Sequence, residues 1–374
     1  MSKIIIACGG TGGHLAPGIA VAEELQERGH KCLLLISKKQ VDSALVEKYG
    51  HLNFMRTPGR AFAGGIVSRV AFIFSLISGI ISSRRLLKKE EPDLVLLFGG
   101  FVSVALGLAS KTLGVPVVLH EANCQPGRAV QLIKRLSTRI YLPDGINLSG
   151  VPPERVRYYG YPVRKEIRRC SKAEARQRLG IKVPRKLLVV IGGSQGAAAL
   201  NDWVTNNFRH LAKAGISVYC VAGLGHSSED AIHEAGLDGD VITASFVEFS
   251  DRMGDVISAA DFVVSRAGAG SIAELIRCRA PSILVPYPYA ADDHQHANAL
   301  SHEQAGAGIL LSQTKLETLT DRVTELMFDD LMLANFESSL ERLDRFESSE
   351  RIATDLLELC ESRQTAKVNM GTVA

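Results

Sequence analysis

Two stretches decide the fold: Ile4-Ile5-Ile6-Ala7-Cys8-Gly9-Gly10-Thr11-Gly12-Gly13 and, near mid-chain, Leu188-Val189-Val190-Ile191-Gly192-Gly193-Ser194-Gln195-Gly196. Each is a short β-branched run that ends in clustered glycines and leads into a helical pattern. A near-continuous apolar run suits a strand of a parallel sheet covered on both faces. The same opening used twice predicts two doubly wound domains.

Working outward, further apolar runs fall at 32–36, 94–98, 115–119 and 139–142 in the first half. In the second half they fall at 218–221, 241–246, 261–265 and 282–285. Helices are expected between them, at 15–28, 102–113, 197–214 and 271–277. The rhythm stops once, at Gly160-Tyr161-Pro162-Val163-Arg164, where Gly and Pro mark a linker. It restarts after a charged helical stretch around 171–179. The expected architecture is α/β: two Rossmann-like, doubly wound parallel-sheet domains facing a cleft, at residues 1–163 and 164–340. Residues 341–374 are read as a C-terminal helix packing back on the N-terminal domain, and a frayed tail.

Composition narrows the function. The 374 residues are 46% hydrophobic and 22% charged, which excludes extensive disorder. A formal net charge of +3 is too mild to argue for a nucleic-acid binder. Seven cysteines without a C-x-x-C pair fit reduced thiols. The N-terminus lacks the pattern of a signal peptide. The longest uncharged apolar stretch, 70–83, is shorter than the roughly 20 residues a spanning helix needs.

Several motifs carry chemistry. Four glycines within Gly9–Gly13 exceed what a tight turn requires, and at a strand-to-helix turn they suit close approach to an anion. No Walker A spacing is present, which argues against a P-loop nucleotidase. The 192–196 loop mirrors the first. The run Ser265-Arg266-Ala267-Gly268-Ala269-Gly270-Ser271-Ile272-Ala273-Glu274 contains Gly-x-Gly-x-x-Ala, a loose dinucleotide fingerprint, but it comes late in its domain. Glu274 either accepts the hydroxyls of a ribose or is a first-turn carboxylate favoured by the helix dipole. Asp292-Asp293-His294-Gln295-His296 is read as polar sugar contacts rather than a metal site, because His294 and His296 would diverge on a helix. Asp238-Gly239-Asp240 is read as a solvated turn. His120-Glu121-Ala122-Asn123 follows a strand, where sites of this architecture are built, with Asn123 as a helix N-cap the competing explanation. Residues 66–87 are apolar on two helical faces, with Phe72 and Leu76 on one. They end in Arg84, Arg85, Lys88 and Lys89, which suits a helix dipping into an anionic leaflet or a buried helix.

Taken together, the 9–14 loop running into Leu15-Ala16-Pro17-Gly18, then Gly99-Gly100-Phe101-Val102-Ser103, 120–123, 160–164, 192–196 and 292–298, closely resemble the MurG family. The resemblance covers about residues 3–350, in the family's order. It implies a two-domain GT-B glycosyltransferase of peptidoglycan synthesis, peripheral at the cytoplasmic membrane face. Its partners would be UDP-GlcNAc, lipid I and an anionic membrane surface, with no nucleic acid, metal or cofactor. GlcNAc would pass with inversion to the muramoyl 4-hydroxyl of lipid I, forming lipid II. By similarity Arg164 and Ser194 hold diphosphate oxygens and Glu274 the ribose. Phe246, Val247 and the backbone of Gly268, Ala269, Gly270 and Ser271 hold the uridine. His294 and Gln295 read GlcNAc hydroxyls, and Thr11, Gly12, Gly13 and Asn123 meet donor sugar and acceptor. The stretch 246–253 is longer than the family's usual one, so the base contact can lie a few positions away.

Glycosyl transfer needs help for departing UDP and a base for the attacking hydroxyl. Helix N-termini and Arg164 are expected to neutralise the diphosphate. His14 is the expected base, since a histidine titrates near 6.5 and a helix N-terminus favours its neutral form. His14 and Glu274 are thus the residues placed in the catalytic machinery, with carboxylates as alternatives for the base. The rival functions are another GT-B glycosyltransferase, an NAD-dependent oxidoreductase and a non-catalytic nucleotide-sugar-binding module.

Overall fold

The computed structural model describes residues 1–9, 12–36, 46–57, 66–182, 186–193, 196–223 and 231–371. The chain divides into two units: Met1–Ala122, Pro126–Arg164 and Arg345–Ala374 form the first, and Asn123–Gln125 with Lys165–Asp344 the second.

The first unit runs β1 (Lys3–Ala7), α1 (Gly12–Glu27), β2 (Lys31–Ile36), β3 (Phe54–Arg56), α2 (Ile66–Glu90), β4 (Leu94–Leu97), α3 (Gly100–Thr112), β5 (Val117–His120), α4 (Arg128–Ile133), β6 (Arg139–Leu142) and β7 (Val156–Tyr158). Its parallel sheet has the order β3-β2-β1-β4-β5-β6-β7. Successive residues of β1 point to opposite faces. Ile4 and Ile6 pack with Leu15 and Ile19 of α1, while Ile5 and Ala7 pack with Leu97 and Leu106. Because both faces are covered, the run is apolar without interruption.

In α2 the apolar residues divide between core and solvent. Leu76, Ile80 and Leu86 pack against the core. Phe74, Ile77 and Ile81, three and four residues apart, form the exposed apolar face. Leu76 is half-buried against this core, and a Cβ added at Gly79 would lie 3.1 Å from the Ala105 Cβ on α3, so α2 and α3 pack closely there. The side chain of Phe72 lies outside the described residues. Arg85, Lys88 and Lys89 are exposed, and Arg84 donates to the Thr112 hydroxyl. No helix among the described residues is long and apolar enough to cross a membrane.

The second unit runs α5 (Lys172–Leu179), β8 (Lys186–Ile191), α6 (Ala198–Lys213), β9 (Ile216–Val221), β10 (Ile232–Ala235), β11 (Val241–Val247), α7 (Met253–Ala259), β12 (Phe262–Ser265), α8 (Ala269–Cys278), β13 (Ser282–Leu284), α9 (His294–Gln304), β14 (Gly308–Leu310), α10 (Leu319–Leu326) and α11 (Asp330–Leu343). Its sheet order is β10-β11-β9-β8-β12-β13-β14, parallel except for β10 against β11. Asp261 ties α5 to this sheet, accepting from Lys172 at 2.9 Å, Arg176 at 2.7 Å and the Leu187 N–H at 2.7 Å.

A last helix, α12 (Ser348–Gly371), belongs to the first unit. Ile352, Ala353, Leu356 and Cys360 are fully buried in the cluster around Ile4 and Ile6. A buried large aliphatic side chain stabilises by about 1.5–3 kcal/mol. Asp355 fixes the register: it accepts from the Tyr141 hydroxyl at 2.8 Å and pairs with Arg139 at 3.0 Å.

Candidate active site

In a doubly wound sheet, ligands bind beyond the strand carboxyl ends where the strand order reverses. In the first unit that point lies between β1 and β4, joined there by the Phe98 N–H donating to the Ala7 carbonyl at 3.0 Å. The loop after β1 leads to His14, in the first turn of α1, and the loop after β4 is Gly99-Gly100. Gly99 has φ 100° and ψ −170°, a region essentially reserved for glycine. Gly100 has φ +77°. A Cβ at Gly99 would lie 3.4 Å from His14 Nε2, and one at Gly100 would lie 3.0 Å from the Gly9 carbonyl oxygen and 3.9 Å from His14 Nδ1. Glycines at these positions leave room for the imidazole.

His120, at the end of β5, is fully buried, with its ring 5.0 Å from Phe98 and 6.2 Å from Tyr161. Its Nε2–H donates to the Gly160 carbonyl at 3.1 Å, so Nδ1 is the unprotonated nitrogen. Burial, aided by the nearby His14, pushes its pKa down to about 4, and the ring is neutral at pH 7. Tyr161 in turn donates to the Gly13 carbonyl at 3.2 Å, tying the linker to the glycine loop. Glu121, also buried, accepts from Ala122 N–H at 2.8 Å and Gly127 N–H at 2.9 Å. Its carboxylate therefore pins both ends of the segment between them.

The second unit repeats the arrangement between β8 and β12, where the Arg266 N–H donates to the Ile191 carbonyl at 3.1 Å. A Cβ at Gly192 would meet Ala197 N at 2.6 Å, so the turn into α6 is closed to any larger residue. Both α6 and α8 start without a side-chain cap, and neither has an acid in its first turn. Helix starts of this kind favour an anion. Buried Arg266 donates to the carbonyls of Val285 at 3.1 Å and Pro286 at 3.2 Å, and to Gln313 at 2.7 Å. Asn298, buried on α9, accepts from Cys124 N–H at 2.8 Å and donates to Asn123 Oδ1 and the Ala267 carbonyl, both at 3.1 Å. Asp292 and Asp293, just before α9, both have φ +53°. Consecutive non-glycine residues there store strain of the kind found at functional sites.

Residues 4–142 match the glycosyltransferase family 28 N-terminal domain and residues 187–352 the glycosyltransferase family 28 C-terminal domain. The UDP-N-acetylglucosamine--N-acetylmuramyl-(pentapeptide) pyrophosphoryl-undecaprenol N-acetylglucosamine transferase of Opitutus terrae is 48% identical over 96% of this chain and 95% of its own. The chain belongs to this family, the MurG family. A transferase of the same name from Prochlorococcus marinus is 35% identical over 92% of this chain and 94% of its own. The crystal structure of Acinetobacter baumannii MurG has a TM-score of 0.72 over 96% of this chain and 99% of its own. At 23% identity that likeness speaks for the fold.

In this MurG-family chain Gly12, Gly13 and His14 open α1, and Gly268 caps α8, whose first residues are Ala269, Gly270 and Ser271. Glu274 follows in the second turn of α8, half-buried. Phe246 and Val247 end β11, with Phe246 packed against the core. His294 and Gln295 open α9; His294 Nδ1 lies 2.6 Å from the Ala291 carbonyl. Asn123 does not cap a helix, since α4 starts after Gly127 and the Asn123 carboxamide meets Asn298. Arg164 is buried at the end of the Pro126–Arg164 segment of the first unit. Thr11 and Ser194 lie outside the described residues. Among the described residues, no three His, Cys, Asp or Glu are grouped as metal ligands. Gly-x-Gly-x-x-Ala follows β12, the partner of the opening strand β8, and belongs to a family 28 domain rather than a dinucleotide-binding one. Sequence reasoning weighed 120–123 as a site segment without giving His120 a role of its own, and it gave none to Arg266 or Asn298. The available signal for Asn298 was its place one helical turn beyond Gln295 on the same face.

Proposed function

We propose that the protein transfers N-acetylglucosamine from UDP-GlcNAc to the muramoyl 4-hydroxyl of lipid I, forming lipid II with inversion at the anomeric carbon. Family membership supports the donor and acceptor classes. The observation that carries the chemistry is His14, given room by Gly99 and Gly100 where the strand order reverses. His14 takes the hydroxyl proton as the new bond to C1 forms and the bond from C1 to the diphosphate oxygen breaks. UDP leaves with the bonding pair, its charge met by the N–H groups opening α8 and by Arg164 and Ser194. Glu274 accepts from the ribose hydroxyls, Phe246 and Val247 line the base, and His294 and Gln295 read the GlcNAc hydroxyls. Thr11, Gly12, Gly13 and Asn123 meet the donor sugar and the acceptor. The test is incubation with UDP-GlcNAc and a lipid I analogue in EDTA, with mass spectrometry of the product. Absence of a product carrying one added N-acetylhexosamine refutes the proposal.

By the same proposal the protein is peripheral to the cytoplasmic face of a bacterial membrane, where its lipid-linked acceptor lies. The exposed Phe74, Ile77 and Ile81 on α2, followed by Arg85, Lys88 and Lys89, support this. An apolar face beside basic residues suits the boundary of an anionic leaflet.

A further inference from the structure

We infer that Tyr287 and Tyr289 form an aromatic floor for the donor's N-acetylglucosamine ring, discriminating the sugar rather than the nucleotide. The inference rests on the proposed role of α9 as the sugar-reading helix. Both tyrosines lie in the loop between β13 and α9, which reads Pro286-Tyr287-Pro288-Tyr289. Tyr289 is 82% exposed and Tyr287 44%, with ring centroids 5.6 Å apart at 72°. Large aromatic rings left in water beside a polar helix start suggest an interaction surface.

The loop is held firmly despite its exposure. The guanidinium of buried Arg266 lies over the Tyr287 ring, 5.5 Å from its centroid, and grips the carbonyls of Val285 and Pro286. The Tyr287 N–H donates to Gln295 Oε1 at 2.9 Å. Gln295 Oε1 is thus occupied, and the amide nitrogen is the group that Gln295 presents as a donor. An aromatic face beside an amide donor matches a pyranose, which has apolar C–H faces and hydroxyls along its edge. Arg266 also stands two residues before Gly268, so the cation over the Tyr287 ring adjoins the turn into α8. That continuity favours the donor's sugar over the acceptor's.

Calorimetric titration of the full chain with UDP-GlcNAc and with UDP tests the inference. Shielding on the order of 50 Å² of apolar sugar surface corresponds to about a tenfold change in affinity. Tyr289→Ala should weaken UDP-GlcNAc binding about tenfold and leave UDP binding unchanged, whereas Tyr289→Phe should preserve both. Unchanged UDP-GlcNAc affinity in Tyr289→Ala overturns the inference, as does a parallel loss of UDP affinity or a defect confined to the acceptor's KM. Wild-type protein that binds UDP-GlcNAc but makes no lipid II sinks the proposed function while leaving this inference standing. Binding of neither nucleotide overturns both.

Discussion

Replacing Gly100 with alanine isolates the contribution of the glycine pair to His14. A non-glycine residue in the left-handed region costs roughly 1–2 kcal/mol. Gly114, at φ +65°, carries the same constraint but has nothing within 4 Å of the place an added methyl would take, so Gly114→Ala measures backbone strain alone. At Gly100, φ is +77° and the new Cβ would also lie 3.0 Å from the Gly9 carbonyl, with His14 Nδ1 at 3.9 Å. Relieving that contact displaces Gly9 or Gly100, both close to His14, and a shift of about 1 Å at a catalytic group costs on the order of 10²-fold in rate. Both variants should therefore lose a similar increment of stability, seen as a melting point lower by a few degrees. Only Gly100→Ala should lose turnover, by about 10²-fold, with UDP-GlcNAc affinity largely kept because the proposed contacts to uridine and ribose come from residues of the second unit. Equal turnover in the two variants, or parallel loss of donor binding in Gly100→Ala, would refute the reasoning.

His14→Ala should cut turnover by about 10²–10⁴-fold with donor binding retained; near-normal turnover in that variant passes the base to a carboxylate. Glu274→Ala should raise the KM for UDP-GlcNAc, since two hydrogen bonds to a charged group, each worth about 1.5–3 kcal/mol, are lost. A defect seen only in the acceptor's KM would move Glu274 out of the ribose site. Changing Arg85, Lys88 and Lys89 to Gln should weaken binding to anionic vesicles by about 1 kcal/mol per residue while sparing a soluble acceptor analogue; unchanged vesicle binding removes α2 from the membrane surface. His120 and His302 are held neutral at about 4 by burial, against an ordinary 6.5, so the unfolded chain binds their protons first on acidification. Urea midpoints should hold above pH 6.5 and fall as the pH drops towards about 4. His302→Leu should flatten that slope, and an identical slope in the variant excludes the histidine.

The central strands were legible because each is covered on both faces and therefore apolar throughout. The unforeseen strands, β3, β7, β10 and β14, are the four edges of the two sheets. With one neighbour and partial burial, sequences such as Phe54-Met55-Arg56 and Val156-Arg157-Tyr158 carry no continuous apolar run. The exposure of Phe74 and Ile81 on α2 was not legible because a helix apolar on two sides gives no unique inward direction. The glycine loops announced a site, but the room that Gly99 and Gly100 leave beside His14 depends on β1 lying beside β4, a long-range pairing that no local pattern records. The roles of Arg266 and Asn298 were hidden for the same reason: their partners Val285 and Asn123 are brought to them by the fold.

The burial of α12 among Ile4, Ile6 and Tyr141 sets an order on how the chain matures during synthesis. Lys165–Asp344 is contiguous and can close its core while translation continues. The first unit emerges earlier but cannot finish, because Ile352, Asp355 and Leu356 follow the whole Lys165–Asp344 segment in the chain. The half of the molecule that carries His14 is therefore the later to complete, and until then the surface meant for α12 stays open to water and to chaperones.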